Sequence, residues 1–250
     1  MSPSRFATCV VFFSRTRLSG SPFGMTGLKR RPSGSNGNAH SAIDYRGFTS
    51  SSTCTMDPEI TDLVNFYTER DAKEWFAPSD EFDAALKHRY ASLVYQARNG
   101  DLDRLNTTPE GSLALLILLD QIPRNIFRGS KESYSSDSEA HDIAVRAIAR
   151  DFDQQVGRES RNKQLLFYLP LMHAENITSQ IACRALIRNV ALHYTEGSKE
   201  RDSFEEWTGF ADRHLICIQE LGRFPARNKS LGRKSTSQEI EWLKEHPWGF

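Results

Sequence analysis

Charged and amide side chains are concentrated directly after an apolar run in the middle of the chain. The run Leu113–Leu119 leads into Asp120 and Gln121, and Pro123 then interrupts the helical pattern. A carboxylate and an arginine four residues apart share one helical face, where they can pair with each other or hold an anion. The polar residues of this first cluster are Asp120, Gln121, Arg124, Asn125 and Arg128.

Pro123 leaves two structures open for this stretch. Proline lacks an N–H group, and its ring clashes with the carbonyl four residues earlier in a helix. The helix therefore either kinks, with an Asp120–Arg124 pair locking the kink, or ends near Asp120 so that a second helix begins at Pro123. In the second case, free N–H groups would lie beside two arginines and favour an anion.

A second cluster contains His173 and Glu175, between two apolar helical segments. Their spacing of two residues does not suit metal binding on one helical face. The pattern predicts a helix start, with Glu175 in the first turn and His173 near the N-terminus. There the helix dipole would lower the pKa of His173 and favour a neutral ring that acts as acid or base. The alternative is a capping residue beside a core histidine.

The third cluster lies in the segment Gly222–Thr236, which is dense in glycine, proline and arginine. Its arginines could converge on one anion through bidentate hydrogen bonds, or could bind helix carbonyls and the acids Asp120 or Glu175. The predicted catalytic residues are His173, Glu175 and Asp120. The predicted ligand-binding residues are Gln121, Arg124, Asn125, Arg128, Arg223, Arg227, Asn228 and Arg233.

Helical periodicity accounts for the elements that must position these side chains. Apolar residues recur with a period near 3.6 from Pro58 onward, and no run alternates with the period of a strand. The sequence predicts one all-α domain over residues 56–250, with seven to nine helices. The predicted helix starts are Asp57 with Pro58, Asp80, Thr108 with Pro109, Asp137, and Ser235 or Thr236, the latter in a capping box with Glu239.

Charge and composition exclude several classes of function. The net charge is zero, but residues 1–55 carry a net charge of +6 and residues 56–250 carry −6. An acidic body argues against nucleic-acid binding. No apolar run approaches the roughly 20 residues of a membrane span. The four cysteines form no zinc or disulfide pattern, and no cofactor motif is present, so neither a metal nor a cofactor is predicted.

Residues 1–55 are rich in serine, glycine and arginine, and they contain one acid, Asp44. Such a segment buries too little apolar surface to fold, so disorder is expected. The composition is typical of a mitochondrial transit peptide. The alternative is a cytoplasmic protein whose translation starts at Met56, or at Met25, instead of Met1.

The three clusters together resemble the domain-of-unknown-function 924 family of bacteria and fungi. The resemblance is carried by LLDQIPRNIFRG at residues 118–129, FYLPLMHAE at 167–175 and GRFPARNKSLGRKST at 222–236. It implies an all-helical, tetratricopeptide-like superhelical fold, and it implies no established activity. Ala174 and Ala226 stand where the family usually has serine and histidine.

Three functions are compatible with these clusters. A helical superhelix whose arginines clamp an anionic small molecule or a peptide terminus is slightly favoured. An enzyme would use His173 as general acid or base, oriented by Glu175 or Asp120, with arginines stabilising an anion. The third is a structural network of buried ion pairs that joins distant chain segments. The oligomeric state does not follow from the sequence.

Overall fold

The structure is a computed structural model, which describes residues 56–70, 75–77 and 79–247. The predictions for residues 1–55 lie outside this range. The described residues contain helices and no strand, which confirms the all-α prediction. Eight α-helices have eight residues or more, within the predicted seven to nine. The α-helices are α1 (Pro58–Thr68), α2 (Asp80–Arg98), α3 (Pro109–Leu116), α4 (Ile122–Ile126), α5 (Asp137–Ile148), α6 (Phe152–Glu159), α7 (Arg161–Leu165), α8 (Leu169–His173), α9 (Ile177–Ala191), α10 (Lys199–Leu221) and α11 (Ser237–Glu245). Tetratricopeptide-like superhelical packing stays a prediction.

Several helix starts follow directly from local sequence. Asp57 and Thr108 cap α1 and α3, and Thr236 forms the predicted capping box of α11 with Glu239. Two predicted caps were wrong by one residue. Serines precede α2 and α5, and Asp80 and Asp137 lie in the first turn instead. In the first turn, their carboxylates still interact favourably with the positive end of the helix dipole.

Helix α3 lies at the centre of the domain and packs against α1, α5 and α6. Every side chain of Leu113–Leu119 is at most 1% exposed, because neighbouring helices cover the segment on all sides. Full burial of a leucine or isoleucine contributes about 1.5–3 kcal/mol each. This segment therefore anchors the core and holds the polar residues that follow it in a fixed place.

A π-helical turn, Ile117–Gln121, joins α3 to α4 without a break in helical geometry. Pro123 accordingly starts no new helix N-terminus, so the second of the two alternatives, with an anion site at that terminus, was wrong. The wider turn shifts the backbone pairing, so that the Ile122 N–H donates to the carbonyl of Ile117. Pro123 has no N–H group that could donate to the carbonyl of Leu119. This carbonyl instead accepts a hydrogen bond of 2.7 Å from the Ser136 hydroxyl.

The chain near His173 also differs from the prediction. His173 is the last residue of α8, and α9 begins only at Ile177, after the capping side chain of Asn176. His173 thus lies at the C-terminal end of a helix, and Glu175 lies in the connection between two helices. The physical reason is the asparagine cap, which binds the N–H of Ser179 and sets the start of α9.

The long helix α10 packs along α9 and leads to the C-terminal segment. A small apolar cluster of Cys217, Ile218, Phe224 and Trp242 attaches this segment to the end of α10. Within the described ranges, none of the helices combines the length and the apolar character that a bilayer crossing requires.

Candidate functional site

A cavity of about 550 Å³ opens between α4, α8 and α10, next to the segments 131–134 and 225–227. Its volume lies within the range of small-molecule sites, about 300–1,000 Å³. One wall is apolar and the opposite side is polar. The apolar wall consists of Phe76, Leu169, Met172, Trp207 and Phe210. The polar lining includes Arg124, Arg128, Tyr134, His173, Glu206, His214 and Arg227.

Helical spacing explains how α8 and α10 supply the wall. Trp207, Phe210 and His214 are three and four residues apart, so they project from one face of α10. On α8, Leu169, Met172 and His173 share a face in the same way. The two helices thus present aromatic and aliphatic side chains on one side and both histidines at the polar boundary.

Asp120 lies behind His173, where it is 1% exposed and does not reach the cavity itself. Its two carboxylate oxygens lie 2.8 and 2.9 Å from Nδ1 of His173. Asp120 also accepts a hydrogen bond from Nη2 of Arg124, at 3.2 Å, and one from the amide of Gln121. The Gln121 carbonyl in turn accepts from the Tyr67 hydroxyl at 3.2 Å.

These contacts determine the tautomer of His173. An ionised carboxylate only accepts hydrogen bonds, so Nδ1 must carry a proton to bind Asp120. In the neutral ring, Nε2 is then the atom with a free lone pair. Nε of Arg124 lies 3.2 Å from the same Nδ1 but cannot donate to a protonated nitrogen, so its charge acts on the ring through space.

Burial and charge keep this pair in the neutral-histidine, ionised-carboxylate form. Burial lowers the pKa of His173, the guanidinium of Arg124 lowers it further, and Asp120 only partly opposes them. Burial by itself would raise the pKa of Asp120, but His173 and Arg124 outweigh it and bring that pKa below its ordinary value. The ring is therefore available as a base near neutral pH.

Arg124 and Arg227 share the carboxylate of Asp137. Nη2 of Arg124 lies 3.0 Å from Asp137 Oδ2, and Nη1 of Arg227 lies 3.2 Å from the same oxygen. Nη1 of Arg227 also donates to the backbone carbonyl of His173, at 3.0 Å. One acid from the first turn of α5 thus holds two cations at the polar side of the cavity.

The remaining edge of the Arg227 guanidinium makes no hydrogen bond to any residue that the structure describes. Its carbon lies 4.9 Å from the ring centroid of Tyr134 and 4.4 Å from that of Phe224, so aromatic rings cover its faces. Burial and the neighbouring charge of Arg124 lower the pKa of Arg227 to about 10, which leaves it a cation at neutral pH. Nε and Nη2 form the edge that suits a carboxylate.

Two other predicted ligand-binding residues pair with Asp83, an acid in the first turn of α2. Asn125 donates to Asp83 Oδ1 at 2.8 Å, and Arg128 binds both oxygens of Asp83 at 2.9 and 3.3 Å. These bonds tie α4 to α2. Arg128 is half-exposed at the mouth of the cavity, whereas Asn125 is buried away from it.

Glu175 and three residues of the third cluster form a separate network outside the cavity. Both oxygens of Glu175 accept from Arg233, at 2.7 and 2.9 Å, and one also accepts from the Phe224 N–H. Arg223 binds Glu239, and Asn228 joins the two groups by bonds to Glu239 and Arg233. Arg223, Arg227 and Arg233 therefore do not converge on one point, and Glu175 does not orient His173.

Some features of the site were absent from the sequence analysis. Asp137 was predicted only as a helix start, and the aromatic residues of α10 were not among the predicted site residues. The spacing of Trp207, Phe210 and His214 was a signal, but such spacing is also typical of packed helices.

Among the residues that the structure describes, no three side chains of histidine, cysteine, aspartate or glutamate are grouped to hold a metal ion.

The comparisons with known proteins agree with the all-helical architecture. Residues 60–247 match the model of the family described as "Bacterial protein of unknown function (DUF924)". A solved structure of a protein of unknown function, ATU0120 from Agrobacterium tumefaciens, has 33% sequence identity and a TM-score of 0.63. It matches over 74% of this chain and 97% of its own. No curated protein matches this chain.

Proposed function

The chain belongs to the DUF924 family of bacterial proteins of unknown function, and we propose that its cavity binds a small molecule with one carboxylate and an apolar body. The observation that carries this proposal is the uncovered edge of Arg227. A buried guanidinium with two parallel N–H groups at the polar side of a cavity is matched by a carboxylate.

The local charges support an anion of single charge. Arg124 and Arg227 both bind Asp137, which holds them near each other. Asp120, which does not line the cavity, pairs with the positive charge of Arg124. Asp120 and Asp137 thus balance the two guanidinium charges, and among the residues that the structure describes the Nε–Nη2 edge of Arg227 has no hydrogen-bond partner. A monocarboxylate binds that edge without adding a second charge that would have to be buried.

The apolar wall supports a ligand body of aromatic or branched aliphatic character. Trp207 lies 5.5 Å from Phe210 and 5.3 Å from Phe76 between ring centroids, which makes one continuous aromatic surface. Aromatic and aliphatic groups gain most from contact with such a surface. A peptide terminus offers the same carboxylate, but the cavity volume suits a small molecule.

Removal of the Arg227 charge is expected to weaken carboxylate binding about 10- to 100-fold, since a hydrogen bond to a charged group contributes about 1.5–3 kcal/mol. The measurement is calorimetric titration of the full chain and of Arg227→Gln with phenylacetate and hexanoate. Arg184→Gln is the matched control, because Arg184 pairs with Asp212 outside the cavity. Equal affinities of wild type and Arg227→Gln, or no binding of either acid, would contradict the proposal.

A second candidate function is general acid–base catalysis at His173. The specific observation is the Asp120–Nδ1 contact, because it leaves Nε2 of a neutral, cavity-lining ring as the proton acceptor. An aspartate that fixes the tautomer of a histidine in this way is the arrangement used by histidine bases in hydrolytic enzymes. Glu175 takes no part in this version of the hypothesis, since Arg233 holds it elsewhere.

The catalytic hypothesis predicts that His173→Asn lowers any turnover by about 10²- to 10⁴-fold, the usual contribution of a general base. Asparagine places an N–H where Nδ1 stood, so the bond to Asp120 can persist while Nε2 is lost. Turnover is measured over a panel of carboxylate esters, amides and hydroxy acids, with melting temperatures in parallel. Activity that survives in a folded His173→Asn chain would exclude His173 as the base.

A further inference from the structure

We propose that the ligand carries a hydroxyl group close to its carboxylate, so that the class of compound is a hydroxycarboxylic acid with an aromatic or branched apolar body. This inference rests on the proposed function, because it assumes that the carboxylate occupies the edge of Arg227. It adds a hydroxyl group to the ligand, because Nε2 of His173 in the same cavity requires a hydrogen-bond donor.

His173 presents one free hydrogen-bond acceptor to the cavity. Its Nδ1 is committed to Asp120 at 2.8 Å, and its ring lines the cavity. Nε2 makes no hydrogen bond to any residue in the described part of the chain. A lone pair at a mostly buried position is satisfied by a donor, and its acceptor character rejects a carbonyl or ether oxygen in the same place.

Arg227 and His173 are neighbours at the polar side of the cavity. Both residues line it, and Nη1 of Arg227 binds the backbone carbonyl of His173 at 3.0 Å. A carboxylate on Arg227 therefore places the next one or two carbons of the ligand beside the ring of His173. A donor on one of those carbons is in position to reach Nε2.

Either an ammonium group or a hydroxyl on the ligand is a possible donor to Nε2 of His173. An ammonium group could donate to Nε2, but it would lie beside the guanidinium groups of Arg124 and Arg227, which are held together by one shared acid. Like charges at such separations are unfavourable in a partly desolvated site. A hydroxyl donates without adding charge. The cavity thus favours a hydroxy acid over an amino acid and over a keto acid.

Three acids with the same carbon skeleton test the inference. Mandelate, phenylacetate and benzoylformate differ only in carrying a hydroxyl, no polar group, or a carbonyl beside the carboxylate. A second pair, 3-hydroxy-3-phenylpropanoate and 3-phenylpropanoate, moves the hydroxyl one carbon further. Affinities for the full chain are measured by calorimetry near pH 7.5, where the ring of His173 is neutral.

We expect one of the two hydroxy acids to bind about tenfold more tightly than its deoxy partner, and benzoylformate to bind no more tightly than phenylacetate. Deoxy or keto acids that bind as well as both hydroxy acids would overturn this inference while leaving carboxylate binding intact. Absence of binding by all five acids would overturn the proposed function itself.

The variant His173→Asn separates the hydroxyl contact from the carboxylate contact. It retains a donor toward Asp120 and removes Nε2, so the ratio of the hydroxy-acid affinity to the deoxy-acid affinity, measured within this variant, should fall to about one. His193→Asn, at an exposed histidine beyond the end of α9, is the matched control and should retain the preference. A preference that persists in His173→Asn would also overturn the inference.

Discussion

Replacement of Asp120 by alanine is expected to lower the free energy of unfolding by about 3–5 kcal/mol, the range for removal of one partner from a buried ion pair. Asp120 is 1% exposed and serves three donors at once. Without it, Nδ1 of His173 has no acceptor, and Arg124 must share its remaining carboxylate, Asp137, with Arg227.

Urea unfolding followed by circular dichroism measures this loss. Asp120→Asn keeps the shape and one acceptor oxygen but removes the charge, so an intermediate loss is expected. Glu241→Ala is the control, because its pair with Lys244 is exposed on both sides and contributes at most about 1 kcal/mol. A loss below about 1 kcal/mol for Asp120→Ala would show that the site relaxes around the missing carboxylate.

Acidification is expected to destabilise the folded chain well before the carboxylates are protonated. Burial lowers the pKa of His173, and it lowers that of His214 well below the ordinary value near 6.5. The unfolded chain therefore binds more protons than the folded chain below that pH. When the pKa of a group is lower in the folded chain than in the unfolded chain, stability is highest at pH values above the unfolded-state pKa. Stability is lost as the pH falls from that value toward the folded-state pKa.

The expected slope is up to about 1.4 kcal/mol per pH unit for each histidine that stays neutral in the folded state, over the range from about pH 6.5 down to its lowered pKa. The charged groups that face these rings are Asp120, Arg124 and Arg227 for His173, and Arg213 and Arg227 for His214. Of these charged groups, only Asp120 favours protonation of a ring, and that ring is His173.

Denaturant unfolding at a series of pH values measures the slope. His214→Asn removes one titrating ring and keeps an N–H near the carbonyl of Phe210, which accepts from Nδ1 in the native chain at 2.9 Å. The slope should be smaller in this variant, whereas His193→Asn should leave it unchanged. A flat profile between pH 6.5 and pH 5 would contradict the assignment of two neutral buried histidines.

Local sequence was sufficient to predict much of the fold. The caps at Asp57, Thr108 and Thr236, and the apolar run Leu113–Leu119, depend on residues within one or two turns of each other. Such short-range effects can be read from spacing alone. The same approach failed at Pro123, because the π-helical turn depends on Ser136 satisfying a carbonyl from outside the helix.

The partners of the charged residues were decided by tertiary structure. His173 pairs with Asp120, which is 53 residues away, and not with Glu175, which is two residues away. Arg227 reaches Asp137 across 90 residues, while Arg233, six residues further along the chain, binds Glu175 instead. Side-chain type makes each of these pairings possible, and it ranks none of them above the others.

By itself, therefore, the sequence determined an all-helical domain and the three segments that carry its polar residues. The structure decided that Leu113–Gly129 continues through a π-helical turn, which places Asp120 behind His173 and Arg124 beside the cavity. It also separated Arg227 from Arg223 and Arg233. The physical reason is that hydrogen bonds and ion pairs act over about 3–4 Å, a distance that only the packing of helices far apart in sequence can set.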